Sequence, residues 1–128
     1  MIFSKNTNKT DVNIEVANII GDVYAIEAAE GQKVFSMLKK AFEENKKVVL
    51  SFLNVKIMTT AFLNTAIGEL YGVKEFSEEF IKTNLRIENM TDAGKIMLKK
   101  VVENATIRYY DPDFYEKLKQ TSYILDNN

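Results

Sequence analysis

Two adjacent hydroxyl side chains, Thr59 and Thr60, lie between an apolar run and an amphipathic segment. The surrounding sequence, VVLSFLNVKIMTTAFLNTAIGELYG, covers residues 48–72 and predicts a buried strand, a polar turn and a helix. A hydroxyl at a helix start accepts a hydrogen bond from a free backbone N–H group, which contributes about 1 kcal/mol. The same position carries the positive end of the helix dipole, where a phosphate or a partner's carboxylate is stabilised. The pair therefore predicts either a plain helix cap or a cap that also takes part in docking or regulation.

The side chains on which most enzyme active sites depend do not occur in these 128 residues. The sequence contains no His and no Cys, which excludes the usual zinc ligands and the Ser-His-Asp and Cys-His catalytic groups. The five glycines form neither a dinucleotide-binding pattern nor a P-loop. Acidic pairs such as Glu43-Glu44 stand beside lysines and predict solvent-facing surface. We therefore expect no catalytic residues, no cofactor and no metal site.

The charge balance argues against nucleic acid as a partner. Seventeen basic and 18 acidic residues give a formal net charge of -1, so no broad basic field attracts a phosphate backbone. The aromatic residues Tyr109, Tyr110, Phe114 and Tyr115 could stack on bases, but arginines do not surround them, and we interpret them as closing the core. The sequence shows no apolar run of membrane-spanning length and no signal peptide. These features, with the absence of Cys, predict a cytoplasmic protein without membrane association.

The elements that must position the two threonines alternate between strand and helix. Val12, Ile14 and Val16 alternate with polar residues and predict an edge strand, whereas residues 48–53 are apolar on both faces and predict a central strand. The further predicted strands are a short one in VYAIEA (23–28) and one in LRIEN (85–89). The predicted helices run from about Ala29 to Asn45 and from Phe62 to Gly72, with a helical turn in FSEEFIKT (76–83) and a last helix begun by Asp111-Pro112. Another helix is begun by Thr91 or Asp92, and its predicted core residues are Ala93, Ile96, Met97, Val101 and Ala105.

Strands that alternate with helices predict an α/β fold, because parallel strands need helical crossovers. We expect a small sandwich with a mixed sheet of about four to five strands covered by helices. A chain of 128 residues buries one core, so residues 1–128 are predicted to form a single domain. Within it, residues 1–10 are expected to be loose and residues 111–128 to form a C-terminal helical extension.

The strand, turn and helix of residues 48–72 resemble those of the STAS domains, the superfamily of the bacterial anti-sigma factor antagonists. They are more closely similar to the small STAS-like domains grouped as a family of unknown function, DUF4325, whose members carry a hydrophobic strand, a Thr/Ser-rich turn and an SFLN-type helix start. Here that helix start is AFLN (61–64), and the likeness extends to EGQKVF (30–35) and NATIRYY (104–110). The resemblance implies a STAS-like α/β sandwich between about Val12 and Tyr110.

The resemblance also implies a function for the turn. In the antagonist family a turn of the form Asp-Ser-Ser-Gly precedes the helix, and a partner anti-sigma factor that is an ATP-binding kinase phosphorylates the second Ser. The corresponding residues here are Thr59, Thr60, Ala61 and Phe62. Ala61 stands at the phospho-acceptor position and has no oxygen to phosphorylate. A phosphate-dependent switch therefore has to use Thr59 or Thr60, or the turn works without phosphate.

Two functional hypotheses follow. The first is a non-catalytic bacterial regulatory module, resembling an anti-sigma factor antagonist, which docks an ATP-binding kinase-like protein through the turn and helix start. Its predicted docking residues, with the two threonines as candidate phosphorylation sites, are Thr59, Thr60, Ala61, Phe62, Asn64 and Thr65. Asn64 and Thr65, followed by Gly68 and Glu69, are expected to form a small and nearly uncharged outer surface. The second hypothesis is a sensor domain that holds a small anionic ligand or nucleotide at the N-terminus of the Phe62 helix.

Overall fold

A computed structural model describes residues 11–120, which form six α-helices, one 3₁₀ helix and five β-strands. The elements in chain order are β1 (Val12–Glu15), α1 (Val16–Ile20), β2 (Tyr24–Ala25), α2 (Ala28–Glu43), β3 (Val48–Ser51), β4 (Ile57–Met58), α3 (Thr60–Ala66), the 3₁₀ helix (Gly68–Gly72), α4 (Glu78–Asn84), β5 (Leu85–Glu88), α5 (Asp92–Tyr110) and α6 (Pro112–Gln120). The predictions for residues 1–10 and for the last part of the C-terminal extension, residues 121–128, lie outside the described residues.

The strands confirm the predicted α/β class and divide into two sheets. The larger sheet has the order β1-β3-β5, with both pairs parallel and with Ile14, Leu50 and Ile87 side by side. β3 is its central strand and β1 an edge, as predicted. β2 and β4 pair with each other in a separate parallel sheet, which replaces the single mixed sheet that we expected. The pairs are parallel because a helical crossover joins the successive strands of each pair.

The chain reaches the smaller sheet through a tight turn. Val16 begins α1 directly after β1, where the alternating pattern predicted that the strand would continue. Gly21 then ends α1 in the left-handed conformation, with φ of 69°, which a residue without a Cβ adopts at little cost. After this turn β2 pairs with β4 and not with a strand of the larger sheet. The predicted strand in residues 23–28 is confirmed in position but is only two residues long.

Helix packing around α3 rests on small residues. A Cβ atom at Gly31 of α2 would lie 2.6 Å from the carbonyl oxygen of Phe62, so the backbones of α2 and α3 are in direct contact there. Gly68 lies against α5 at an ordinary contact distance, with the position of a Cβ 3.5 Å from Cγ1 of Val101. The helix that was predicted to reach Gly72 ends instead at Ala66, and the 3₁₀ helix continues the chain.

The buried stripe of α5 differs from the predicted one. Val101 and Ala105 are buried as expected, but Ala93 is exposed and Ile96 is 72% exposed. The cause is Gly94, which packs against the side chains of Met58 and Met90 and so faces the core. The stripe therefore follows residues 94, 98, 101 and 105, which lie on one face of a helix. Within residues 11–120, the helices are all too short or too polar to cross a membrane.

Candidate functional site

Thr59 is the N-cap of α3 and joins that helix to β2. Its hydroxyl accepts a hydrogen bond from the backbone N–H of Phe62 at 3.1 Å and donates one to the carbonyl oxygen of Ile26 at 2.6 Å. Its backbone N–H also donates to the carbonyl of Ala25 at 3.1 Å. These three hydrogen bonds fix the start of α3 against the end of β2. The capping interpretation is confirmed for Thr59, and the turn has a defined geometry.

Thr60 and Ala61 form the outer part of the turn. Thr60 is the first residue of α3 and is half-buried, whereas Ala61 is exposed. The next two residues, Phe62 and Leu63, are fully buried, so neither side chain is available to a partner. Of the six predicted docking residues, Thr60 and Ala61 lie in the turn and have accessible surface. Neither of them is the helix cap, which is Thr59.

An exposed apolar surface adjoins this turn, and sequence reasoning missed it. Tyr24 of β2 pairs in register with Ile57 of β4, and the two side chains are 44% and 52% exposed. Ile26, whose carbonyl accepts the Thr59 hydroxyl, is 42% exposed. We call Tyr24, Ile26 and Ile57 the outer patch. Their neighbours Ala25 and Met58 are buried, as the alternation of side chains along a strand requires.

The remaining predicted docking residues lie partly inside the molecule. Thr65 is half-buried and faces α2, since its Cβ is 3.1 Å from the position of a Cβ at Gly31. Asn64 is half-buried and lines a cavity of about 200 Å³ with residues of α5 and α6, including Arg108. Gly68 is buried below α5. The expected small outer surface from Asn64 to Glu69 is therefore largely covered, because α5 packs across it.

The start of α3 is poorly suited to binding an anion. The helix has seven residues, and the Thr59 hydroxyl already accepts the N–H of Phe62. A helix dipole of this length is small, and the cap satisfies one of the N–H groups that an anion needs. The structure thus gives no support to the second hypothesis at this position. Among residues 11–120, no three acidic side chains come together to hold a metal ion.

Two phenol groups near the end of the 3₁₀ helix have altered pKa values. Burial raises the pKa of Tyr71 above the usual 10.0, and the Glu78 carboxylate and Tyr110 raise it further. Burial is the largest cause that raises the pKa of Tyr110, and the charge of Glu78 raises it further. A hydrogen bond with the backbone of Glu78 partly offsets this increase. Both side chains are consequently neutral at physiological pH. They lie outside the turn and supply no acid or base to it.

A family model described as a STAS-like domain of unknown function (DUF4325) matches residues 30–95, just over half of the chain. The matched residues include most of α2, the central strand β3, the Thr59 turn and α3. They also include the contact of Gly31 with Phe62 and the strand residue Ile57 of the outer patch. No curated protein and no solved structure matches the chain.

Proposed function

The chain belongs to the STAS-like family DUF4325, and from this premise we propose that it is a non-catalytic module that docks a protein partner. The docking surface consists of the turn residues Thr60 and Ala61 together with the outer patch. The partner, by the resemblance to anti-sigma factor antagonists, is an ATP-binding kinase-like regulator in the bacterial cytoplasm. The module works by occupancy, since it competes for that partner and the state of either protein sets the affinity.

The observation that carries this proposal is the position of the outer patch beside the turn. Tyr24 and Ile57 are paired in the two-stranded sheet and Ile26 directly follows β2, and all three large apolar side chains are exposed. Contiguous exposed apolar side chains are costly in water and mark surfaces that a partner covers, and tyrosine is enriched at the centres of interfaces. The patch continues into the turn because Thr59 binds the Ile26 carbonyl.

The hydrogen bonds of Thr59 favour docking without rearrangement. Because its hydroxyl ties β2 to α3, the patch and the helix start keep one relative position. A surface that is already ordered loses less conformational entropy when a partner binds. The turn is therefore suited to presenting Thr60 and Ala61 in a fixed geometry.

Of the two candidate phosphorylation sites, Thr60 is the one that is not the N-cap of α3. The Thr59 hydroxyl donates to Ile26, and a phosphate on that oxygen would remove the donated bond and the cap geometry. Thr60 directly follows Thr59, whose hydroxyl binds the carbonyl of the patch residue Ile26, so we expect a phosphate there to place about two negative charges near an apolar interface. Such a modification would weaken docking and leave the cap of α3 in place.

The test compares two exposed isoleucines that receive the same substitution. Tagged wild type, Ile57→Glu and Ile96→Glu are used to isolate bound proteins from the organism's own cells, and a retained ATP-binding protein is then purified for affinity measurement. Ile57 is 52% exposed in the outer patch, and Ile96 is 72% exposed on α5. We expect Ile57→Glu and Thr60→Glu to weaken binding at least tenfold, or about 1.4 kcal/mol, and Ile96→Glu to bind as wild type does.

Equal binding by Ile57→Glu and Ile96→Glu would remove the outer patch from the interface. Circular dichroism and the melting temperature of each variant show whether the fold is intact. Since Ile57 and Ile96 are already exposed, we expect these two variants to fold as wild type does; for the half-buried Thr60 the same two measurements show whether a loss of binding comes with an intact fold.

A further inference from the structure

A groove of about 550 Å³ lies between the edge strand β5 and the helix α5. It shares no residue with the outer patch or with the Thr59 turn. Its walls are mainly apolar and come from the 3₁₀ helix, α4, β5 and α5, together with Ile67 and Met90 between elements. Leu85 and Ile87 of β5 and Leu98 and Val102 of α5 are among the apolar lining residues. Ligand sites in proteins occupy about 300–1,000 Å³ and are mostly apolar with a few polar groups.

The groove exists because β5 is incompletely covered. In the parallel register Leu85 lies beside Val48, and Ile87 lies beside Leu50. The two β3 residues are buried, whereas the two β5 residues remain half-exposed. The residues that α5 directs to this side include Lys95 and Lys99. A lysine side chain lays its apolar stem along such a surface and keeps its ammonium group in water, so Lys95 and Lys99 place charge at the edge of an apolar groove.

The rim of the groove is positively charged. Lys82 of α4 and Lys95 and Lys99 of α5 line it, with Glu103 as the acidic residue among the lining side chains. None of the salt bridges formed within residues 11–120 involves any of these three lysines. The whole chain has a formal net charge of -1, so this excess of positive charge is a local feature of the groove.

We propose that the groove binds a small amphipathic monocarboxylate, with its apolar tail against Leu85, Ile87 and Leu98 and its carboxylate at the lysines. Apolar walls supply the free energy of binding through burial of the tail. The ammonium groups of Lys95 and Lys99, one helical turn apart on α5, select an anionic head group over a cationic one. A medium-chain fatty acid has this chemistry. The site is separate from the docking surface, and its existence does not depend on the proposed function.

The experiment uses two probes with the same tail and opposite charge. Dodecanoate and dodecyltrimethylammonium are titrated below their micellar concentrations into the ¹⁵N-labelled chain, and the backbone amide signals are followed by NMR. We expect dodecanoate to bind and to shift the signals of Leu85, Ile87 and Leu98, with those of Tyr24 and Ile57 unchanged. The cationic probe should bind at least tenfold more weakly.

Two neighbouring lysines of α5 give a matched pair of variants. Lys99 lines the groove, whereas Lys100 is exposed and does not. Lys99→Glu should lower the affinity for dodecanoate about tenfold, because it replaces an attraction at the rim by a repulsion. Lys100→Glu has the same change in net charge and should bind as wild type does.

Several results would overturn the proposal. They are the absence of dodecanoate binding, equal affinity for the two probes, and equal loss of affinity in Lys99→Glu and Lys100→Glu. Signal shifts confined to residues outside the groove would also overturn it, since they would place the anion elsewhere. Both substituted lysines are exposed, so neither variant is expected to unfold.

Discussion

Two contacts in this domain, one between two helices and one between a helix and a strand, are built in opposite ways. Between α2 and α3, Gly31 brings one backbone against the carbonyl of Phe62, and the adjoining Leu63 is fully buried. Between α5 and β5, the facing side chains leave a groove of about 550 Å³, and Leu85 and Ile87 stay half-exposed. The first contact leaves no room for a methyl group, and the second has room for a ligand.

The difference separates two kinds of binding surface. The closed contact holds α3, and through Thr59 it also holds the end of β2. A protein partner that docks at the outer patch therefore meets a surface whose parts cannot shift independently. The open contact is lined by long side chains such as Lys95, Leu98 and Lys99. The outer patch and the groove share no residue, so the two proposed functions would use separate surfaces.

The largest expected effect comes from adding one methyl group to the closed contact. In Gly31→Ala the new Cβ would lie 2.6 Å from the carbonyl oxygen of Phe62 and 3.2 Å from the backbone nitrogen of Ala66. Because these are backbone atoms, α2 and α3 have to move apart. We expect the free energy of unfolding in urea to fall by about 2–3 kcal/mol, despite the higher helix propensity of alanine.

Gly68→Ala is the matched control for that substitution. Its Cβ would lie 3.5 Å from Val101 and 3.6 Å from Asn64, which are ordinary contact distances. The expected loss is less than about 1 kcal/mol. If both variants were equally stable, the α2–α3 contact would not be the closed one, and the comparison between the two sides would fail.

The fold could be predicted from patterns that were long enough to be specific. Residues 48–53 are apolar on both faces, which predicted the central position of β3, and the family resemblance predicted the sandwich. The stripe of α5 was predicted correctly for Val101 and Ala105, with Met97 packed against the core, but wrongly for Ile96, which was assigned to the core by its hydrophobicity. Gly94, which has no side chain to contribute to such a pattern, takes the inward position against Met58 and Met90. Contacts made by glycine are invisible to hydrophobic periodicity.

A smaller effect is expected at the hydrogen bonds that join the closed contact to the outer patch. Thr59→Val keeps the shape of the side chain but removes the acceptor for Phe62 and the donor for Ile26. We expect the free energy of unfolding to fall by about 1–1.5 kcal/mol. Thr59→Ser retains the hydroxyl and should restore most of the stability.

Thr65→Val is a second control on the same helix. The Thr65 hydroxyl donates to the carbonyl of Ala61 within α3, a bond that contributes little to helix stability. Its loss should change the free energy of unfolding by less than about 0.5 kcal/mol. A Thr65→Val variant as unstable as Thr59→Val would mean that the link between β2 and α3 is not special.

The candidate site was only partly predictable, for a reason of length. The capping role of Thr59 follows from local sequence, and it is confirmed. The outer patch was missed because β2 and β4 have two residues each, and alternation over so few residues gives no reliable signal. The burial of Gly68 and the half-burial of Asn64 depend on α5 and α6, which are distant in sequence. A helical face looks open in sequence whenever the element that covers it is far along the chain.

The smallest expected effect tests whether Tyr71, which lines the groove, behaves as part of the buried core. Tyr71 lines the groove and yet is 6% exposed, and burial, then Glu78 and Tyr110, raises its pKa above 10.0. Since the folded pKa lies above the unfolded one, the neutral phenol stabilises the fold below pH 10, and this contribution is lost as pH rises through the folded pKa. Urea unfolding at increasing pH should therefore show a steeper loss of stability above pH 10 in wild type than in Tyr71→Phe. Tyr110→Phe removes a more exposed phenol and should reduce the pH dependence of the free energy of unfolding less than Tyr71→Phe does. If Tyr110→Phe reduced it equally or more, Tyr71 would belong to the open groove and not to the core.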